Sequence, residues 1–328
     1  MIDMIGRDSS ARIAFFAIVL TVFVVGPAMA HAAPTAAEVL RITWVNPPID
    51  PPAGVRHATF SSKAVGAEVG YNIYLPDAYD KEPDRRFPTV YYLHGSGGNE
   101  SRNVGLAESV RRAIDAGEVE PMLVVFVNGG SETGYHDSVD GTIKAETMIV
   151  GELIPHIDAT YRTLADRSGR AIQGFSMGGG GALRLAVKYP DTFSSVLVYG
   201  AGGMQPMETM PTTDDIRSPG NRRRKMRTRI AMMGDDLDHW RRNNSYYLIE
   251  QNADKLRGVV GIRLVIGTED FSLEGAHVAQ NRFDELKLPH EYELVGGVKH
   301  NIRDLYRYAG VRGLQFHQRW FGRQSDEN

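Results

Sequence analysis

The chain has no cysteine among its 328 residues. This excludes disulfides, a thiol nucleophile, thiolate-bound metal and lipid attachment through a cysteine. It has little charge imbalance, -3 at neutral pH, so neither nucleic acid nor an anionic membrane is expected as its main partner. Long apolar runs are also missing, with one exception near the start. Arg7 and Arg12 precede an apolar stretch from Ile13 to Val25, broken only by Thr21 and closed by Gly26-Pro27. That stretch is shorter than the roughly 18 residues a spanning helix needs. Ala28-Met29-Ala30 or Ala30-His31-Ala32 follows it with small residues fit for cleavage. The layout is that of a secretory signal over residues 1–32. It predicts a secreted or periplasmic mature chain with no stable membrane anchor. No His, Asp and Glu set has metal-ligand spacing, and no metal is expected.

What is present is an ordinary globular composition, 42% hydrophobic and 23% charged, enough for one large domain. Residues 33–54 are rich in proline and alanine and read as a leader that packs loosely, if at all. From Val55 on, apolar segments of strand length appear: Val55–Ser61, Glu68–Leu75, Phe87–Leu93, Met122–Val127, Ala171–Ile172, Ser194–Tyr199, Ile262–Ile266 and Glu291–Leu294. Helical patterns alternate with them, including Leu106–Ala116, Leu273–Leu286 and Arg303–Arg319. One helix is expected from Glu146 to Tyr161, with Ile149, Leu153, Ile154 and Ile157 on one face. Alternation of this kind predicts a mostly parallel sheet with helices on both faces and an antiparallel edge. Residues 202–257 break the rhythm and read as a cap-like insertion. They hold methionines (Met204, Met207, Met210) and a basic run from Arg217 to Arg229. The methionines form an adaptable apolar wall or pack the cap. The basic run is a solvated face or meets an anionic polymer or substrate.

The chemistry concentrates at Gly174-Phe175-Ser176-Met177-Gly178, a G-x-S-x-G pattern. An apolar strand precedes it and a helical segment follows, the setting of a nucleophile elbow. Ligands of an open α/β sheet sit at the carboxyl ends of its strands. Asp270 follows the Ile262–Ile266 strand and His300 follows the last one. The order Ser, Asp, His is that of the α/β-hydrolase fold. A serine hydroxyl needs a base in contact, so His300 is assigned the base and Asp270 its orienting carboxylate. Glu269 rivals Asp270, and His277, His290 and His317 rival His300. The last three fall within helices or before a strand. The backbone N–H groups of Ser96 and Met177 are expected to face an oxyanion. His94 falls at the pocket as a substrate contact or as a hydrogen-bonding support for the Gly95-Ser96 loop. Tyr135 falls in a loop that lines the acyl or leaving-group pocket or lies on the surface.

Tyr91-Tyr92-Leu93-His94-Gly95-Ser96-Gly97-Gly98, the Ser176 elbow, Gly267-Thr268-Glu269-Asp270 and His300 together resemble the putative-esterase family of α/β hydrolases. The resemblance spans about Val55 to Phe321. Tyr71–Pro76 and Glu146–Tyr161 are similar to its secreted esterase and feruloyl-esterase branch. It implies a serine carboxylesterase without cofactor, acting through an acyl-enzyme on esters of small or aryl (feruloyl-type) acyl groups, either free small molecules or polysaccharide-linked. The S-formylglutathione hydrolase branch fits less well, given the signal sequence and Phe175. The mycolyltransferase branch is more distant in the Leu93–Ser96 loop. Acyl transfer to an alcohol or sugar is the enzymatic alternative. A non-catalytic binding protein on the same fold is the other.

Overall fold

The computed structural model describes residues 33–202, 205–216 and 220–323. Its eight strands are β1 (Val55–Ser62), β2 (Ala67–Tyr74), β3 (Thr89–Leu93), β4 (Leu123–Val127), β5 (Arg170–Phe175), β6 (Ser195–Tyr199), β7 (Gly261–Gly267) and β8 (Glu291–Val295). They form one sheet in the order β1-β2-β4-β3-β5-β6-β7-β8. β1 pairs with β2, and β2 with β4, antiparallel; every later pairing is parallel. This is the α/β-hydrolase arrangement, with its antiparallel edge.

The central strands are buried along their whole length because both faces of the sheet are covered. Side chains alternate between two apolar layers. Tyr91, Leu93, Leu123, Val125 and Ile172 enter one layer, while Val90, Tyr92, Val124, Phe126 and Ala171 enter the other.

In chain order the helices are α1 (Ala36–Leu40), α2 (Asp77–Lys81), α3 (Ala107–Asp115), α4 (Ala145–Thr147), α5 (Ile154–Thr160), α6 (Met177–Lys188), α7 (Arg222–Met233), α8 (Leu237–Arg242), α9 (Ser245–Leu256), α10 (Leu273–Glu285) and α11 (Ile302–Trp320). α3 and α11 close the second layer; α6, α9 and α10 close the first. Among the described residues no helix is long and apolar enough to cross a membrane. Residues 1–32, expected from sequence to be a secretory signal, and Met204 and Arg217 lie outside the described residues.

Two local expectations are corrected. The single helix over 146–161 is a composite: α4 passes into a π-helical turn, Met148–Leu153, and then into α5. Pro155, in the first turn of α5, has no N–H to give an α-helical bond backward, and the ladder rearranges around it. The 33–54 leader does not pack loosely. Thr35 and Glu38 form a capping box on α1. The Ala36 N–H donates to Asp140 across 2.7 Å, and the Gly70 N–H donates to the Trp44 carbonyl across 2.7 Å. Asn46 donates to Glu100 across 3.1 Å. The anchoring groups lie far along the chain, so local composition carried no sign of them.

Between β6 and β7, helices α7, α8 and α9 interrupt the strand rhythm. Met232, Met233 and Trp240 pack with Ala36 and Ile143 in a third apolar cluster, and Met207 and Met210 lean against it. Those methionines pack the inserted segment. The Val139 N–H donates to the Met232 carbonyl across 2.7 Å, which seats α7 against the loop after β4.

Candidate active site

Ser176 stands on the turn between β5 and α6 with φ +56° and ψ -119°, a conformation that L-residues rarely adopt. Two contacts explain the glycines around it. A Cβ on Gly174 would fall 2.2 Å from the Gly178 carbonyl oxygen, and one on Gly178 would fall 2.1 Å from the Leu93 carbonyl oxygen. The start of α6 therefore rests on the ends of β5 and β3, and only glycine permits it. The Ser176 N–H donates to the Tyr199 carbonyl across 2.9 Å, fixing the turn to β6.

His300 reaches this serine because the ends of β7 and β8 are locked together. The Glu269 N–H donates to Val298 and the Thr268 N–H to Val295, each across 3.0 Å. A Cβ on Gly267 would fall 2.0 Å from the Val298 carbonyl oxygen. This brings Asp270 and His300 into contact. His300 Nδ1 lies 2.8 Å from Asp270 Oδ2 and 3.0 Å from Oδ1. On the far side of the ring, Nε2 lies 2.9 Å from Ser176 Oγ. The Asp270 side chain is fully buried and also accepts the Ser272 N–H across 2.8 Å. A carboxylate only accepts, so Nδ1 carries the ring proton and Nε2 is left bare toward the serine hydroxyl. The hydroxyl can donate to Nε2, which is the geometry for lifting its proton.

Two aromatic rings flank His300: Phe175 of the elbow at 4.6 Å and Phe271 at 4.2 Å between centroids. Phe271 was not singled out in the sequence, where its place next to Asp270 was the only available signal. The rival groups stand elsewhere. Glu269 is exposed. His277 lies against Tyr292, His290 bonds the Leu288 carbonyl, and His317 is buried 2.8 Å from Ser195 Oγ.

The Gly95-Ser96 loop abuts the elbow. A Cβ on Gly95 would lie 3.4 Å from the Ser176 Cβ. The Gly98 N–H closes a turn onto the Gly95 carbonyl, and the Gly97 N–H donates to the Ser131 carbonyl across 2.7 Å. Ser96 is exposed, and its backbone N–H has no protein acceptor among the described residues. Met177 opens α6, where the first N–H groups have no intrahelical partner. Both donors thus remain available on the serine's side of the sheet.

His94 and Tyr135 sit behind this loop. His94 is 1% exposed and donates from Nδ1 to the Gly95 carbonyl across 2.9 Å; burial lowers its pKa to about 4, so it is neutral. Tyr135 is fully buried, has φ +63°, and donates its hydroxyl to the His94 carbonyl across 2.7 Å. Its ring fills space left by Gly129 and Gly181, where a Cβ would fall 2.1 and 2.5 Å from it. Both residues support the loop from inside: His94 takes the supporting place rather than the substrate contact, and Tyr135 neither lines a pocket nor lies on the surface. Arg184, also unanticipated, donates to Glu146 across 2.5 Å and to the Tyr135 carbonyl, anchoring this loop to α6. Among the described residues, no cluster of three or more His, Asp or Glu could hold a metal.

The family model described as "Putative esterase" matches residues 62–305. Esterase Rv1288 of Mycobacterium tuberculosis is 37% identical over 139 residues, 42% of this chain and 30% of that protein. An endo-1,4-beta-xylanase/feruloyl esterase of Xylanibacter ruminicola is 31% identical over 165 residues, 47% of this chain and 22% of that one. The matched stretch thus spans less than a third of these curated relatives. Among solved structures, a ferulic acid esterase superposes with TM-score 0.66 at 24% identity, covering 82% of this chain and 98% of the other. An S-formylglutathione hydrolase from Agrobacterium tumefaciens gives TM-score 0.66 at 18% identity, covering 82% and 95%. At these identities the structures share the fold.

Proposed function

The chain belongs to the putative-esterase family, and from that premise we propose that it is an exported serine esterase that cleaves carboxylic esters of small or aryl (feruloyl-type) acyl groups through an acyl-enzyme. The observation that carries this reading is the unbroken hydrogen-bonded line from Ser176 Oγ through His300 to Asp270. Ser176 Oγ attacks the ester carbonyl carbon while Nε2 of His300 takes the hydroxyl proton. Asp270 stabilises the resulting imidazolium. The carbonyl oxygen becomes an oxyanion, faced by the N–H groups of Met177 and Ser96; one such donor is worth about 3 kcal/mol. Collapse expels the alcohol, which takes the proton from Nε2. Water, deprotonated by the same nitrogen, then attacks the acyl carbon and frees the acid and Ser176.

Action on aryl acyl groups draws support from Phe175 and Phe271, whose rings stand beside His300. The two feruloyl-esterase relatives point the same way. Export draws support from the residue 1–32 pattern alone. The test is a panel running from p-nitrophenyl acetate through longer chains to methyl ferulate, with the mature protein and Ser176→Ala assayed side by side. Hydrolysis that disappears with Ser176 supports the reading. Full hydrolysis by Ser176→Ala ends it.

A further inference from the structure

A cavity of about 160 Å³ opens beside the Gly95–Gly98 turn. Val39 and Leu40 of α1, Ser131 and Glu132 of the loop after β4, and Arg224 and Arg227 of α7 line it. Its wall is tied to the reacting groups. The Ser131 carbonyl accepts the Gly97 N–H, and Gly97 stands two residues from Gly95, which abuts Ser176. With about 3.8 Å per Cα step from Gly95 to Gly97, the wall at Ser131 lies no more than roughly 15 Å from the nucleophile.

The lining is unequal in charge. Arg224 lies 3.4 Å from Glu132. Arg227 is exposed, with no ion pair or hydrogen bond among the described residues. Two guanidinium groups against one carboxylate leave one positive charge uncompensated. On the other side Val39 and Leu40 are half-buried and apolar. Their position is fixed, because Asp140 and the Thr142 hydroxyl accept the Ala36 and Ala37 N–H groups across 2.7 and 3.2 Å. A free guanidinium facing a short apolar wall fits a carboxylate at the end of a carbon stem, which the planar fork can bind through two hydrogen bonds.

We propose that this cavity is a subsite for a carboxylate borne by the ester substrate, held by Arg227 and Arg224 with its carbon stem against Val39 and Leu40. The proposal rests on Ser176 being the nucleophile. It makes the basic stretch of α7 a selector of substrate charge.

The test compares kcat/KM within matched pairs. One pair is mono-p-nitrophenyl suberate and p-nitrophenyl octanoate, with the carboxylate on the acyl arm. The other is 4-(4-acetoxyphenyl)butanoate and 4-butylphenyl acetate, with the carboxylate on the alcohol arm; both carboxylates sit roughly 9–10 Å from the reacting carbonyl. In at least one pair, Arg227→Gln should lower the charged-to-neutral ratio about three- to fivefold, the scale of an exposed ion pair. Arg227→Glu should lower it further, and the difference from wild type should shrink at high salt. Ratios that stay the same in both pairs for both variants overturn the subsite. Failure of the nucleophile assignment would look different: Ser176→Ala would hydrolyse charged and neutral esters alike.

Discussion

The Tyr135 hydroxyl donates to the backbone carbonyl of His94 across 2.7 Å, and both residues are buried beneath the turn that carries Ser96. Tyr135→Phe leaves that carbonyl dry and without its donor. It should cost about 1–3 kcal/mol of stability and loosen the turn. We expect a lower melting temperature and a fall in kcat of about tenfold with KM little changed. That is less than the 10²–10³ lost with an oxyanion donor outright. An unchanged melting temperature with unchanged kcat would refute this support role.

Asp270→Asn is nearly isosteric and can still accept the Ser272 N–H. Its amide would face His300 Nδ1 with a donor, which favours the tautomer with the proton on Nε2. That ring cannot take the Ser176 proton. We expect kcat to fall on the order of 10⁴ with the thermal transition nearly in place. Retention of most activity would mean that Asp270 does not set the His300 tautomer.

Gly178 and Gly180 make a contrast on one helix. A Cβ on Gly178 would lie 2.1 Å from the Leu93 carbonyl oxygen, whereas one on Gly180 meets nothing within 4 Å. Gly178→Ala should destabilise by about 3 kcal/mol or more, read as a large fall in melting temperature or as insoluble protein. Gly180→Ala should hold or gain stability, by up to about 1 kcal/mol. Equal effects would contradict the seating of α6 on the end of β3.

Stability should depend on pH through the buried neutral histidines. Burial lowers His94 to about 4 and His317 to about 3, from an unfolded value of 6.5. Between pH 6.5 and 4 the unfolded chain therefore binds protons that the native chain does not. Their stabilising contribution is complete above pH 6.5 and is lost as pH falls toward 4, then 3. Each such proton contributes about 1.4 kcal/mol per pH unit near pH 5, and His136, also lowered by burial, adds to the slope. Urea unfolding at several values from pH 7.5 to 5 measures it, and His317→Asn should remove one proton's share. A flat profile would contradict the neutral burial of these rings.

Much of this site was readable in the chain because a parallel sheet sends the ends of its strands to one edge. Ser176, Asp270 and His300 each follow an apolar run, and the structure brings them within hydrogen-bond reach. The glycines at 174 and 178 signalled close backbone approach. Contacts between segments far apart in sequence were not readable. Nothing near Ala36 announces Asp140, and nothing near Asn46 announces the buried Glu100. Tyr135 has a polar tip, which reads as a pocket or surface group until its hydrogen bond to the His94 backbone carbonyl is seen. The π-helical turn before α5 had a visible cause in Pro155, yet its apolar spacing still matched an ordinary helix.

The central claim is that Ser176 carries the acyl group, and trapping that intermediate tests it most directly. The protein would be mixed with p-nitrophenyl butyrate, quenched in acid within the first turnover, and its peptides weighed. The account predicts a burst of p-nitrophenol and a butyryl group on the peptide containing Ser176, with both absent in Ser176→Ala. A burst that survives Ser176→Ala, or a butyryl group on another residue, would contradict it.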